Sequence, residues 1–233
     1  YHLVVIPELP GQDLMDPIRY VAETRSADAV IFNRVQTEDP RVAYLRDKGF
    51  PFATHGRTVW KDDHAWYDYD NAAFGAAAVR ALAERGRRSV LMIAPPKDQA
   101  HARDMIAGAA QAAEALGVTL ETADTATSDD APEPIAACAR DRLARHPETD
   151  ALIAAAPNAA MAAVTAIEGA GLVVGRDFDV FAKETFPVLD LFRPGILALQ
   201  EDVQKAGRFL ASAAIHEIAS GGKDHMQELD AAD

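Results

Sequence analysis

Short runs of Val, Ile, Leu and Ala recur along the chain, separated by longer segments in which apolar residues return every three or four positions. Continuous apolar runs are typical of strands buried on both faces of a parallel sheet. They predict strands at 2–7, 29–34, 52–55, 89–94, 119–122, 151–155, 179–181 and 196–199. The longer segments predict helices at 17–24, 40–48, 71–85, 100–116, 132–145, 159–170 and 202–220.

Helix boundary signals agree with this pattern. Asp39 precedes Pro40, which places a capping residue before a proline at a helix start. A glycine, which favours the left-handed conformation that often ends a helix, follows four of the predicted helices, at Gly49, Gly86, Gly117 and Gly171. Because strands and helices alternate, the chain forms βαβ units, and we predict an α/β fold.

The alternation divides into two series. The first runs to about Gly86, and the second begins at Arg87 and runs to about Leu199. Two α/β halves usually leave a ligand cleft at the carboxyl ends of their strands. The chain opens on a strand with no helix before it, so we expect that upstream residues of the first half are missing.

Composition narrows the class of protein. The 233 residues are 49% hydrophobic and 25% charged, as in an ordinary globular protein, and carry a net charge of -13. The acidic balance argues against binding nucleic acid through the chain's own surface. No apolar run approaches the roughly 18 residues of a membrane span, so we expect no membrane partner. The single Cys138 cannot form an internal disulfide.

Motifs for common chemistry are missing from the sequence. It contains no Gly-x-Gly-x-x-Gly, no phosphate-binding Gly-x-x-x-x-Gly-Lys-Ser/Thr, no Gly-x-Ser-x-Gly and no His-Glu-x-x-His. Cys and His do not cluster with the spacing of zinc ligands. We therefore predict no cofactor, no metal site and no catalytic residue.

Polar residues instead follow the predicted strands or begin the helices after them. The candidate ligand-binding residues are Asn33, His55, Arg57, Asp70, Arg103, Asn158, Lys183, Glu184 and Glu201. Amide, carboxylate and cationic groups suit the hydroxyls of a carbohydrate, and the nearby Trp60, Trp66 and Phe186 could stack on a sugar ring. Simpler roles remain open: Asp70 and Asn158 could cap helices, and Lys183 and Glu184 could be a solvated pair.

A family resemblance extends over nearly the whole chain. It is found in Ala27-Asp-Ala-Val-Ile-Phe-Asn-Arg34, Asp39-Pro-Arg-Val42, Gly49-Phe-Pro-Phe-Ala-Thr-His-Gly-Arg57, Asp70-Asn71, Asn158-x-x-Met161-Ala162 and Ile167-Glu-x-x-Gly171-Leu-x-x-Gly175-x-Asp177-Phe-Asp-Val180. In this order and spacing the chain resembles the effector domain of lactose-repressor/galactose-repressor family transcription regulators.

The resemblance implies a periplasmic-binding-protein-like type I fold with two doubly wound parallel-sheet subdomains. The first would span 1–87 and 202–224, lacking its first strand and helix, and the second 88–201 and 225–233. It implies a cytoplasmic homodimer that is not an enzyme and that senses a carbohydrate, with an α-glucoside or disaccharide as our expectation. Operator DNA would be bound only through an upstream helix-turn-helix that these residues lack.

The resemblance also assigns roles to individual residues. Asn33 matches a polar residue that follows a strand and faces the ligand, and Asp70 matches the Asp of an Asp-Asn pair. Asn158 matches the polar residue before Met-Ala, and Arg103 lies close to a ligand-binding arginine. Glu184 stands where the family often has an Asp that binds a sugar hydroxyl.

Two other functions fit the same fold class. One is the periplasmic sugar-binding protein of a transporter. The other is a sugar-active α/β enzyme in which His55 and Asp70 act as acid and base.

Overall fold

The computed structural model describes residues 1–7 and 11–232, and they form the predicted α/β fold. Its helices are α1 Asp16–Thr24, α2 Pro40–Lys48, α3 Asn71–Glu84, α4 Ala100–Leu116, α5 Pro132–Arg145, α6 Pro157–Gly169, α7 Leu189–Phe192 and α8 Val203–Ser220. Its strands are β1 Val30–Phe32, β2 Phe52–His55, β3 Ala65–Tyr69, β4 Ser89–Ile93, β5 Thr119–Thr122, β6 Ala151–Ala154, β7 Asp179–Glu184, β8 Leu197–Gln200 and β9 Gln227–Asp230. A 3-10 turn covers Lys61–Asp63.

The chain divides into two compact units. Unit 1 contains Tyr1–Asp68 and Gln204–Leu229, and unit 2 contains Tyr69–Val203 and the residues from Asp230. In this division α3 belongs to unit 2 and residues 225–229 belong to unit 1, whereas the sequence-based ranges assign them the other way round. Residues 8–10 and 233, which the predicted subdomain ranges include, lie outside the described residues.

Unit 1 is built on the sheet ordered β1-β2-β3-β9, in which β1, β2 and β3 run parallel. Apolar side chains on one face of the sheet pack against α8, and those on the other face pack against α1 and α2. Asp39 begins α2 as predicted, because its carboxylate accepts the N–H of Arg41 at 2.9 Å. Gly49 ends α2 in the left-handed conformation, with φ of 58°.

Unit 2 is built on a five-stranded parallel sheet ordered β5-β4-β6-β7-β8. Its central strands are buried on both faces. In β4, Leu91 and Ile93 face the cluster that contains α5 and α6, whereas Val90 and Met92 face the cluster that contains α3 and α4. Helices on both faces of a parallel sheet are the doubly wound arrangement that the sequence predicted.

Helices α3 and α4 approach each other at two glycines. A Cβ added at Gly108 would lie 2.0 Å from the carbonyl oxygen of Ala72, and one at Gly75 would lie 2.2 Å from that of Met105. No side chain fits at those distances, so glycine permits the backbones to touch here. This contact explains why α3 packs in unit 2.

The prediction of a strand at 2–7 is wrong. No strand is present among residues 1–7, and the side chains of Leu3, Val4 and Val5 are exposed. A single extended segment becomes a strand only when a neighbour takes up its backbone hydrogen bonds. Within the described residues the sheet of unit 1 ends at β1, so the apolar run alone does not make a strand.

Candidate functional site

The loop after β1 carries the first predicted site residue, Asn33, on the surface of unit 1. The neighbouring Arg34 has a left-handed φ of 54°, which is uncommon for a residue with a side chain. Arg41 holds this loop, because its Nη2 donates to the carbonyls of Asn33 at 3.3 Å and Arg34 at 3.1 Å. The same guanidinium is paired with the buried Asp39 and lies 4.5 Å from the ring of Phe32. Asn33 is thus placed by a fixed backbone.

The carboxyl ends of β2 and β3 bring an ion pair together in unit 1. Arg57 Nε donates to Asp68 Oδ2 at 2.7 Å, and the guanidinium lies 5.7 Å from the ring of Trp66. Asp68 is 8% exposed and Arg57 is 26% exposed, so the pair is half-buried and still reachable. His55 ends β2 beside it, with its ring 5.9 Å from that of Tyr67.

In unit 2, Lys183 lies at the centre of a buried cluster at the ends of β7 and β8. Its ammonium lies 2.5 Å from Glu201 Oε2, donates to Asn71 Oδ1 at 3.0 Å and lies 4.4 Å from the ring of Tyr69. We call these four residues the Lys183 cluster. The side chains of Lys183 and Glu201 are only 12% and 7% exposed, so this is not the solvated surface pair that remained an alternative for Lys183.

Two predicted site residues hold loop backbone in unit 2. Asp70 caps α3, because its Oδ1 accepts the N–H of Ala73 at 2.9 Å. Glu184 points its Oε2 at the N–H groups of Val188 and Leu189, at 3.1 and 3.2 Å. Asp70 therefore has the capping role that the sequence left open, and Glu184 fixes the turn that follows β7.

The remaining two predicted residues have other neighbours. Asn158 lies in the first turn of α6 and does not cap it; its Nδ2 donates to the carbonyl of Ser128 at 3.0 Å. Arg103 is exposed on α4 and pairs with the adjacent Asp104. The structure therefore brings Lys183 and Glu201 together and places these two elsewhere in unit 2.

Sequence reasoning missed Asp68, Tyr69 and Asn71 as site residues. All three lie at the end of β3 or directly after it, and β3 was not predicted. Asn71 is buried, and its Nδ2 donates to the carbonyl of Tyr69 at 2.9 Å while its Oδ1 accepts from Lys183. The aromatic run Ala-Trp-Tyr-Asp-Tyr was the signal that could have revealed this strand.

Two arginines contact Asp179 at the start of β7 in unit 2. Arg87 Nε donates to the fully buried Asp179 at 2.6 Å, and Arg85 Nε lies 3.0 Å from the same oxygen. Burial alone would raise the pKa of Asp179, but the hydrogen bonds and charges of the two guanidinium groups outweigh it and lower that pKa. Asp179 is the first residue of β7, so this group anchors the strand that carries Lys183.

Among the described residues, no three or more His, Cys, Asp or Glu side chains are grouped as a metal site would require. None of the described helices is both long and apolar enough to cross a membrane.

Comparison with known proteins shows which family the chain resembles. The model of the periplasmic binding protein-like domain matches residues 79–232. The chain belongs to this family. The transcriptional regulator AglR of Rhizobium meliloti is 27% identical over 233 residues, which cover 98% of this chain and 65% of AglR. The regulator CelR of Thermobifida fusca is 25% identical over 193 residues, which cover 82% of this chain and 57% of CelR.

A solved structure agrees with these relatives. The transcriptional regulator CelR in complex with cellobiose superposes with a TM-score of 0.81 at 24% identity, covering 92% of this chain and 66% of that one. Together the matches confirm the resemblance to effector domains of LacI-family regulators, and they confirm the periplasmic-binding-protein-like fold. The relatives are named as regulators, which agrees with the prediction that the chain is not an enzyme. This periplasmic binding protein-like chain spans about three fifths of their length.

Proposed function

We propose that this chain is the effector-sensing domain of a cytoplasmic LacI-type transcriptional repressor and that it binds a small carbohydrate. One observation carries the proposal: both units present paired charged and polar side chains at the carboxyl ends of parallel strands. Open α/β sheets bind ligands at these strand ends. The relatives, which are regulators, favour this function over a transporter protein or an enzyme.

In unit 1, the carbohydrate would contact Asn33, His55 and the Arg57–Asp68 pair. Arg57 donates its Nε–H to Asp68. A carboxylate accepts hydrogen bonds and a guanidinium donates them, so this pair offers both kinds of group that sugar hydroxyls bind. The opposite charges of Arg57 and Asp68 cancel, and a site without net charge suits an uncharged sugar.

In unit 2, the carbohydrate would contact Lys183, Glu201 and Asn158. Asn158 gives one amide N–H to Ser128, and the amide can form further bonds with a hydroxyl. Asp70, Glu184 and Arg103 stay in the proposed set, but Asp70 and Glu184 would act mainly by fixing the backbone next to the ligand. An α-glucoside or a disaccharide is the effector that we propose.

The regulatory mechanism that we propose is a population shift within a homodimer. A carbohydrate that binds one conformation of the domain better than another changes the balance between them. Operator DNA would be bound by a helix-turn-helix outside these 233 residues, because a surface with a net charge of -13 repels phosphate.

Thermal-shift screening against neutral mono- and disaccharides tests the proposal, because a ligand specific to the folded state raises the melting temperature. With a binding sugar in hand, calorimetry compares the wild type with Asp68→Asn. We expect affinity to fall by about tenfold or more, because a charged acceptor for a hydroxyl is lost.

The matched control is Asp62→Asn, an exposed aspartate of the same unit, which should leave affinity unchanged. If no sugar of the panel binds the wild type, the carbohydrate function is wrong. If a sugar binds and Asp68→Asn binds it equally well, Asp68 is removed from the site.

A further inference from the structure

The chain passes between unit 1 and unit 2 three times, at 68/69, at 203/204 and at 229/230. The residues of unit 2 beside these passages are joined to each other. Lys183 contacts Asn71, which lies three residues after Asp68 at the first passage. It also contacts Glu201, which lies two residues before Val203 at the second passage. The N–H of Asp70 donates to the carbonyl of Asp230 at 2.8 Å, which joins the first passage to the third.

Lys183 makes its contacts across large separations in sequence. Asn71 is 112 residues away, and Glu201 follows β8, the neighbour of β7 in the sheet. An ammonium group has three N–H donors, and Asn71 and Glu201 accept from it while the ring of Tyr69 lies against it. Lys183, on strand β7, therefore joins the segment at Asn71 to the segment at Glu201.

The ion pair between Lys183 and Glu201 is largely buried, which is an unusual way to stabilise a protein core. Removing a lysine and a glutamate from water costs more than packing two apolar side chains of the same size, so a buried ion pair is a poor source of net stability. In some proteins such a pair instead favours one geometry, because each charge must meet its partner. In the Lys183 cluster, the geometry that the pair would favour is the path of the backbone next to the passages at 68/69 and 203/204.

We propose that Lys183 is a positioning residue that fixes the passages at 68/69 and 203/204 in a single conformation. Its loss loosens these two segments and leaves the sheet and helices of unit 2 intact. The inference concerns the path of the chain, and it does not depend on which effector the domain binds.

Hydrogen exchange measured by mass spectrometry on the 233-residue chain without any sugar tests this directly. The reporters are peptides that contain the amide of Asp70 and the amide of Glu201, which donates to the carbonyl of Glu184 at 2.8 Å. In Lys183→Met we expect exchange about tenfold faster or more in both peptides, and exchange within about twofold of wild type in β4 and α4. The control is Lys97→Met, an exposed lysine of unit 2, which should change neither reporter.

A second variant covers the case in which the negative charge of Glu201, left without Lys183, unfolds unit 2. Lys183→Met combined with Glu201→Met removes both charges of this pair. Faster exchange confined to the two reporters in this double variant supports the proposal. Wild-type protection at both reporters, or faster exchange spread evenly through unit 2, overturns it.

Discussion

The buried His64 predicts how acid will affect unit 1. Its side chain is 1% exposed and lies between the turn at Lys61–Asp63 and β3. Nε2 lies 3.1 Å from the hydroxyl of Thr54, Nδ1 lies 2.9 Å from the carbonyl of Trp60, and the ring stacks on Phe52. Since a carbonyl only accepts, Nδ1 carries the proton of the neutral ring.

Burial is the main reason that the pKa of His64 falls from 6.5 to about 4, because an imidazolium there would lose its water. The unfolded chain takes up this proton as the pH falls below 6.5, whereas the folded chain stays neutral until about pH 4. The stability that neutral His64 permits is therefore complete above pH 6.5 and is lost as the pH falls to about 4. The difference between a pKa of 6.5 in the unfolded chain and about 4 in the folded chain corresponds to about 3 kcal/mol of unfolding free energy.

Urea unfolding of the wild type and of His64→Gln between pH 7.5 and 4 measures this loss. Both tryptophans, Trp60 and Trp66, belong to unit 1, so their fluorescence follows the unit that contains His64. The two proteins share all other titrating groups, so the difference between their unfolding free energies isolates His64. We expect the advantage of the wild type over the variant to shrink by about 3 kcal/mol across this range.

His2→Gln is the control variant, because it replaces an exposed histidine and leaves the buried ring of His64 in place. A difference between wild type and His64→Gln that does not change with pH would refute the reasoning. It would mean that His64 titrates alike in the folded and unfolded chain.

Two further variants test local packing. In Gly108→Ala the new methyl group would collide with the carbonyl of Ala72, so we expect a loss of about 1–3 kcal/mol or more, measured by urea unfolding followed by circular dichroism; an unchanged midpoint would show that α3 and α4 can separate at little cost. In Glu184→Ala the N–H groups of Val188 and Leu189 lose their acceptor, so hydrogen exchange after β7 should become faster and stability should fall by about 1–3 kcal/mol. Unchanged exchange there would show that this carboxylate does not hold the turn.

The sequence predicted unit 2 more completely than unit 1 for a physical reason. Strands β4 and β6 are buried on both faces, and such strands appear as continuous apolar runs. Strand β3 is equally buried, but it contains Asp68 and three aromatic residues and shows neither alternation nor an aliphatic run. Strand β9, Gln-Glu-Leu-Asp, alternates between exposed and half-buried positions over only four residues, too few for a pattern.

The sequence predicted where the candidate site residues lie along the chain, but it did not predict which of them contact each other. The sequence places Lys183 and Glu201 after the predicted strands at 179–181 and 196–199, and the structure shows that these two strands are neighbours in the sheet. That Lys183 also bonds Asn71 depends on where α3 packs, and the two glycines that let α3 meet α4 are ordinary helix residues in the sequence. Contacts over 112 residues arise from tertiary packing, and no local pattern contains them.

The roles of Asp70 and Glu184 connect the local structure to the proposed function. Asp70 fixes the first turn of α3, where Asn71 lies, and Glu184 fixes the turn after β7, next to Lys183. Each carboxylate therefore positions a member of the Lys183 cluster. The oxygen that it uses for this accepts backbone N–H groups and does not contact a ligand. A substitution at either residue should weaken carbohydrate binding by letting Asn71 or Lys183 move. Changes in affinity at these two residues, taken alone, would therefore not identify them as ligand contacts; a direct contact requires an affinity change without faster exchange in the turn that each carboxylate holds.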